Sequence, residues 1–488
     1  MYQVSPQDNL FFHMESGTTP MHIGLLCLYN QSTAEDGKVR FKDIIKTFEA
    51  RLHKVPALRN RAVSTPLHLD YPYWIVDPDF DIEYHIRHIA LPTPGDWRQL
   101  CIQVARLHAR PLDMNRPLWE ATVIEGLDNI EGLPKACFAV QFKMHRAIYN
   151  REIGGQLMAA LHDLGAESIT SLPEHPTTVD RVPTSIELLS RAAINRVKIF
   201  SSYASVARRY AVPAARKLYD AACKSQSCAF THSPHTRFNN KLSPHRVFEG
   251  TSFKLKQVNT IRSQHNDARF NDVVIAIIAG ALHRYLSSKD ELPIASMTAM
   301  YPVINQPEEG SGDRIHRFSH IFPRLYTEIA DDKERLDKLI VHLEKARRQS
   351  IWLDWQFADD AARLFPNTLA DLFIRGAVGY QNARHTGPFF NTFISSVAGP
   401  HIPLYHCGAK LESCFGIDSI YDNVGLAHNA FSYNGMLNIT VNACRNMMPD
   451  PDFYIECIND SFKSLLKKER KTRRKISQKT ITVDINQE

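Results

Sequence analysis

The run NDVVIAIIAGALHRYL, from Asn271 to Leu286, narrows the fold of this chain more than any other stretch. From Val273 to Leu282 it presents apolar or small residues on every side of a helix. A helix with no polar face has to be covered on all sides. A membrane span would need about 20 apolar residues, and this run is too short for that. With Asn271 or Asp272 as its N-cap, the run is expected to be a helix buried inside a globular domain. The chain has 488 residues, enough for a sizeable core and for two or three domains.

Strand-like and helix-like stretches alternate on either side of this run. CFAVQFKM (Cys137 to Met144) reads as a strand, and WRQLCIQVARLHA and QLMAALHDL have helical spacing. YWIVDPDFDIEYHIRHIALP has β-type composition interrupted by Asp77-Pro78. The pattern predicts an α/β (α+β) protein in two halves, 1–178 and 246–465. Between them, 179–245 holds a capping-box pattern from Thr184 to Glu187 ahead of a basic amphipathic run. Pro213 should interrupt that run, and THSPHTRFNNKLSPH (Thr231 to His245) reads as an extended crossing. Residues 466–488 are expected to form a disordered basic tail.

The net charge of +6 is unevenly spread: Lys467 to Lys475 holds seven basic residues and one acidic, and Ile186 to Asp220 seven and two. Such runs are solvated surface, or they meet an anionic membrane at about 1 kcal/mol per basic residue. No zinc-finger, RNP-type or helix-turn-helix pattern accompanies them, so nucleic acid is not the expected partner. Nine scattered cysteines and no signal-peptide pattern fit reduced thiols in the cytoplasm. No metal is expected: His85/His88 and His232/His235 lack further ligands nearby, and Cys223/Cys228 lack a second pair. There is also no GxSxG elbow, no phosphate loop of the GxxxxGK[ST] type and no GxGxxG.

PLDMNRPLWEATVIEGL (Pro111 to Leu127) resembles the wax ester synthase/diacylglycerol acyltransferase family. So do SPQDNLFF, TTPMHIG, TRFNNKLSPHRVF, NDVVIAIIAGALHRYL, SSVAGPHIPLY and SYNGMLNITVNACR, in family order from about residue 4 to 465. The resemblance implies a two-domain CoA-dependent acyltransferase fold with a channel at the domain interface. It implies acyl transfer from acyl-CoA to a long-chain alcohol or a diacylglycerol, with acyl-CoA as substrate or ligand and no cofactor. An anionic membrane or lipid-droplet surface and an active relative of the family are further candidate partners. MTAMYP (Met297 to Pro302) and SSVAGP (Ser395 to Pro400) are expected at the interface, and Trp119 in packing.

Family members carry HHxxxDG, whose second His takes the proton from the attacking hydroxyl. Here KMHRAIYNREIGG places His145 on the first His, Arg146 on the catalytic one, Asn150 on the Asp and Arg151 on the Gly. Shifting the register by one puts His145 on the catalytic position, but loses the KMH start and misplaces the following helix. Arginine stays protonated and cannot act as a general base. Strand alternation puts Arg146 on the face of Phe138, Val140, Phe142 and Met144, with His145 on the other. The leading expectation is therefore a family scaffold that keeps acyl-lipid or CoA binding and loses His-base catalysis. The other is an active O-acyltransferase with a non-standard base. Arg146 and Arg151 are candidates for binding an anion such as a CoA phosphate or a fatty carboxylate.

Overall fold

The computed structural model describes residues 1–149, 151–167, 180–197, 233–265, 268–305, 317–350 and 388–467. The first half contributes β1 (Tyr2–Gln3), α1 (Pro6–Met14), β2 (His22–Asn30), α2 (Phe41–Arg51), β3 (Asn60–Val63) and β4 (Tyr73–Val76). It continues with α3 (Ile82–His85), β5 (Ile86–Ala90), α4 (Trp97–Ala109), β6 (Trp119–Leu127), β7 (Cys137–His145) and α5 (Arg151–Leu161). The second half opens with β8 (Arg246–Lys254), the helices Leu255–Gln264 and Phe270–Ser288, β9 (Ala299–Asn305) and β10 (Arg317–Ile321). After the helix Asp332–Ser350 come β11 (Thr392–Ala398), β12 (Tyr405–His406), β13 (Ala409–Ile417), β14 (Leu426–Tyr433) and β15 (Met436–Cys444). The helix Pro451–Leu466 follows.

Two six-stranded sheets organise these elements. One runs β12-β13-β2-β7-β6-β5, the other β10-β9-β11-β14-β15-β8, and β1-β4-β3 form a small third sheet. β12 and β13 come from the second half of the sequence, yet they complete the sheet of the first. β13 pairs antiparallel with β2, setting Cys414 opposite Cys27. The boundary expected at 246 thus does not separate the sheets, because 405–417 crosses back and ties the halves together.

The Phe270–Ser288 helix is buried from Asp272 to Leu282, as its lack of a polar face requires. Its N-cap is Arg269 rather than Asn271 or Asp272. The helix starts earlier because the Asp272 carboxylate, at the third helical position, accepts the otherwise unpaired Arg269 N–H at 3.0 Å. A Cβ added at Gly280 would run into Ser461, Asp332 and Arg335. Asp332 is buried there between Arg284 and Arg335.

The alternation in β7 positions the site. Phe138, Val140, Phe142 and Met144 enter a core shared with Ile44 and Phe48 of α2 and Leu157 and Ala160 of α5. Gln141 and Lys143 point the other way, where Gln141 donates to the Val104 carbonyl and Lys143 to those of Leu107 and Arg110. Trp119 lies in the same core, its ring stacked on His85 and Phe142 and its indole N–H donating to the Leu58 carbonyl at 2.6 Å. Its ring is packed into that core, as expected.

The crossing at 233–245 has no helix or strand, but it is anchored rather than loose, with Phe238, Asn239 and Leu242 buried. Thr184 accepts the Glu187 N–H at 3.3 Å, capping a helix over 185–197. The remainder of the basic run, including Pro213, lies outside the described residues, as do Cys223, Cys228, His232 and the tail beyond Lys467.

Candidate active site at the junction of the halves

β7 stops at His145, and a turn follows. The His145 N–H donates to the Leu118 carbonyl at 2.9 Å, and the Ile148 N–H donates back to the His145 carbonyl at 3.0 Å. The next residue, Arg146, donates its N–H to the Met21 carbonyl at 2.8 Å. The two side chains then part, as strand alternation predicts.

His145 is fully buried. Its Nδ1 accepts the Ala147 N–H at 3.1 Å, so its proton sits on Nε2, which faces Glu15 Oε2 at 3.2 Å. Phe12 stacks on the ring at 4.9 Å between centroids. Glu15 also accepts the Met21 N–H at 2.6 Å. Opposite in the ladder is His22, held well below the usual imidazole range by burial, with Lys143, His108 and His145 adding repulsion. His145 thus sits in a buried histidine layer with His22 and His108, away from solvent.

Arg146 projects instead toward the second half. Its guanidinium lies 5.3 Å from the ring centre of Phe11 and 5.6 Å from that of Phe393 on β11. Its Nη1 is 3.9 Å from Asp418 Oδ1, just beyond β13, and about a quarter of the side chain is exposed. The Asp418 carboxylate is fixed from behind: Ser395 Oγ donates to Oδ2, and Asn429 Nδ2 donates to Oδ2 at 3.0 Å and to Ser395 Oγ at 2.7 Å. Burial pushes the Asp418 carboxyl up, against the pull of Arg146, Ser395 and Asn429. Burial, with Arg146 adding repulsion, takes His320 on β10 down to about 4. The arrangement holds a permanent cation between two aromatic rings, beside a carboxylate and a neutral imidazole. It can bind negative charge. Arg146 itself cannot take a proton from an alcohol.

Of the residues expected here, the fold brings Arg146 to the junction and removes His145 from it. Arg151 begins α5, but its side chain and Asn150 lie outside the described residues. Ser395 and Tyr301 from the two segments expected at the interface are buried beside this region, Ser395 in direct contact with Asp418. Glu15, His320, Asp418 and Asn429 were not singled out from the sequence. Only pairing across the sheets reveals them, since each is far from residue 146 along the chain. His85 donates through Nδ1 to the Trp119 carbonyl at 2.8 Å and His88 pairs with Glu125 at 3.1 Å. Among the described residues no His, Cys, Asp and Glu cluster could hold a metal, and no helix is long and apolar enough to cross a membrane.

The family model for the wax ester synthase/diacylglycerol acyltransferase catalytic domain matches residues 4–274, and that for the WS/DGAT C-terminal domain matches 316–466. The O-acyltransferase WSD of Acinetobacter baylyi is 29% identical over 462 residues, covering 92% of this chain and 93% of its own. Among solved structures, the wax ester synthase/diacylglycerol acyltransferase from Marinobacter aquaeolei VT8 aligns with a TM-score of 0.67 and 25% identity. That alignment covers 95% of this chain and 98% of the other. A trichothecene 15-O-acetyltransferase from Fusarium sporotrichioides shares the fold at a TM-score of 0.54 and 12% identity, over 95% of this chain and 94% of its own.

Proposed function

The chain belongs to the wax ester synthase/diacylglycerol acyltransferase family of acyl-CoA O-acyltransferases, and from that premise we propose that it binds acyl-CoA or an acyl lipid without the family's histidine-base chemistry. One observation carries this reading. The side chain that crosses the junction toward Asp418 is Arg146, and the neighbouring imidazole of His145 is sealed on the opposite face against Glu15. Losing a general base lowers a rate by about 10²–10⁴, whereas a cation between aromatic rings can still hold a CoA phosphate or a fatty carboxylate. Equilibrium binding of palmitoyl-CoA tests this directly. The native chain is expected to bind it and to release little CoA when hexadecanol or dioleoylglycerol is added. Rapid alcohol-dependent CoA release would refute the reading.

A second reading, acyl transfer with a non-standard base, draws on His320. Its imidazole is neutral and close enough to feel Arg146. A base whose pKa is about 4 is poorly matched to proton removal at neutral pH, so this reading ranks second. Loss of any residual turnover in His320→Ala would favour it.

Association with an anionic membrane is part of the proposal. The 185–197 helix is docked through buried Leu188 and Ala192, with Asn195 bonded to Asp70 and Arg196 to the Leu69 carbonyl. It leaves Ile186, Ile194 and Val197 exposed, near exposed Leu69 and beside Arg191 and Arg196. Apolar side chains interleaved with arginines suit the interface of an anionic bilayer. Flotation with phosphatidylglycerol vesicles that is unchanged in Ile186→Glu/Val197→Glu would count against this surface.

A further inference from the structure

The stretch YHCGAK, Tyr405 to Lys410, folds β12 onto β13 through a turn at Cys407 and Gly408. Both turn residues have positive φ, 51° and 79°, as a tight two-residue hairpin requires, and cysteine is not a residue such a turn favours. In this position the half-buried Cys407 sulfur faces α2, with Thr47 Oγ1 at 3.1 Å and the Asp43 carbonyl at 3.7 Å. The Thr47 hydroxyl also reaches the Asp43 carbonyl at 2.9 Å, and it can turn to donate to a thiolate. His406, beside the thiol, is 1% exposed. Its Nδ1 lies 2.7 Å from the Leu161 carbonyl, which can only accept, so the ring proton sits on Nδ1. Nε2 is left buried with its lone pair free and, among the described residues, no hydrogen-bond partner.

From this geometry we propose that Cys407 is a peroxide-reactive thiol, a redox modification site in which His406 Nε2 accepts the proton and the walls of α2 admit only a small electrophile. The Cys407 thiol passes its proton to Nε2, and the thiolate attacks one oxygen of hydrogen peroxide. The S–O bond forms as the O–O bond breaks, and the departing hydroxide takes the proton back from His406 and leaves as water. Sulfur is oxidised by two electrons to the sulfenic acid, and the peroxide is reduced by two. The electrostatics agree. Burial opposes charge on both groups, yet the imidazole, with Thr47 and Arg51, holds the thiol below its usual range, and the thiol holds the imidazole above its own. Of the other groups facing the pair, Arg51 is held by Asp163 at 2.8 Å, and the His162 and Tyr29 rings pack on His406 at 6.0 and 5.6 Å. Burial keeps both of these uncharged, taking His162 down to about 3 and Tyr29 up. The buried pair Cys27 and Cys414, 3.4 Å apart, is the contrast, since burial pushes the Cys414 thiol up. Oxidation concentrates on accessible thiols that ionise easily. The site is separate from the Arg146 junction and does not depend on acyl-lipid binding.

The test exposes the reduced full-length chain to hydrogen peroxide in the presence of dimedone, and separately to iodoacetamide over a pH series, and reads each cysteine by peptide mass spectrometry. Cys407 should be trapped by dimedone, and at pH 7 it should be alkylated at least about tenfold faster than buried Cys27, Cys101, Cys137 and Cys414 in the same sample. His406→Asn keeps a donor for the Leu161 carbonyl and removes Nε2, so it should slow alkylation of Cys407 about tenfold at pH 7. The native pH profile gives a check that does not need this variant to fold: the midpoint for Cys407 should lie below the usual thiol value of about 8.5. Absence of a dimedone adduct at Cys407, a midpoint at or above that value, or a folded His406→Asn chain alkylated as fast as the parent would each overturn the assignment.

Discussion

Arg146 reaches across the junction of the two halves to within 3.9 Å of Asp418. The contact is long, and its partner carboxylate is buried and braced by Ser395 and Asn429. Its energetic effect therefore resides in compensating a buried charge rather than in a tight salt bridge.

Arg146→Ala should expose that compensation. The folded-state pKa of Asp418 already lies above the usual 3.8, so its contribution to stability is full at low pH and is lost as pH rises through the folded value. Removing Arg146 raises that value further. The variant should lose about 1–3 kcal/mol near pH 7 and much less near pH 4, as read by urea unfolding at the two pH values. An equal deficit at both would mean that stacking on Phe11 and Phe393, not charge, is what Arg146 contributes.

Much of this was legible from the chain alone because it is local. The period-two pattern of β7 puts Phe138, Val140, Phe142 and Met144 on one face and His145 on the other. The all-round apolar helix could only be buried. What could not be read is non-local: the return of 405–417 into the first sheet, and the meeting of Arg146 with Asp418 and His320. The cap of the central helix was misread because an Asp at the third helical position reaches back and mimics the signal of one at the N-cap. The burial of Lys143 is non-local too, since Glu120 and the backbone carbonyls of Leu107 and Arg110 hold its ammonium.

Glu15→Ala should destabilise the fold through His145. It removes the acceptor of the buried Nε2–H and of the Met21 N–H together. A loss of about 2–4 kcal/mol is expected from two buried donors left unpaired, measured by denaturant unfolding. A loss below 0.5 kcal/mol would show that water takes over both bonds.

Lys143→Met should flatten a pH dependence. The folded-state pKa of Lys143 falls from 10.5 to about 8, so between those values the unfolded chain holds the extra proton and stability rises with pH. Relative to Lys143→Met, the parent should gain up to about 3 kcal/mol across that window. Parallel stability curves for the two proteins would contradict the assigned burial.

Gly280→Ala sets helix propensity against packing. Alanine favours a helix by about 1 kcal/mol, but its Cβ would meet Ser461, Asp332 and Arg335. Overpacking costs about 1–3 kcal/mol, and disturbing the buried Asp332 pairs adds to it, so a net loss of about 2 kcal/mol or more is expected in thermal unfolding. A stabilised variant would mean that the Asp332 cluster yields easily.

The central claim is that an intact acyltransferase scaffold carries an arginine where the base belongs. Its most direct test is alcohol-dependent CoA release from palmitoyl-CoA, comparing the native chain with Arg146→His/Asn150→Asp. The double variant should be faster by about 10²-fold or more, with His145→Ala on that background lost through misfolding rather than chemistry. Native turnover equal to that of the double variant would contradict it.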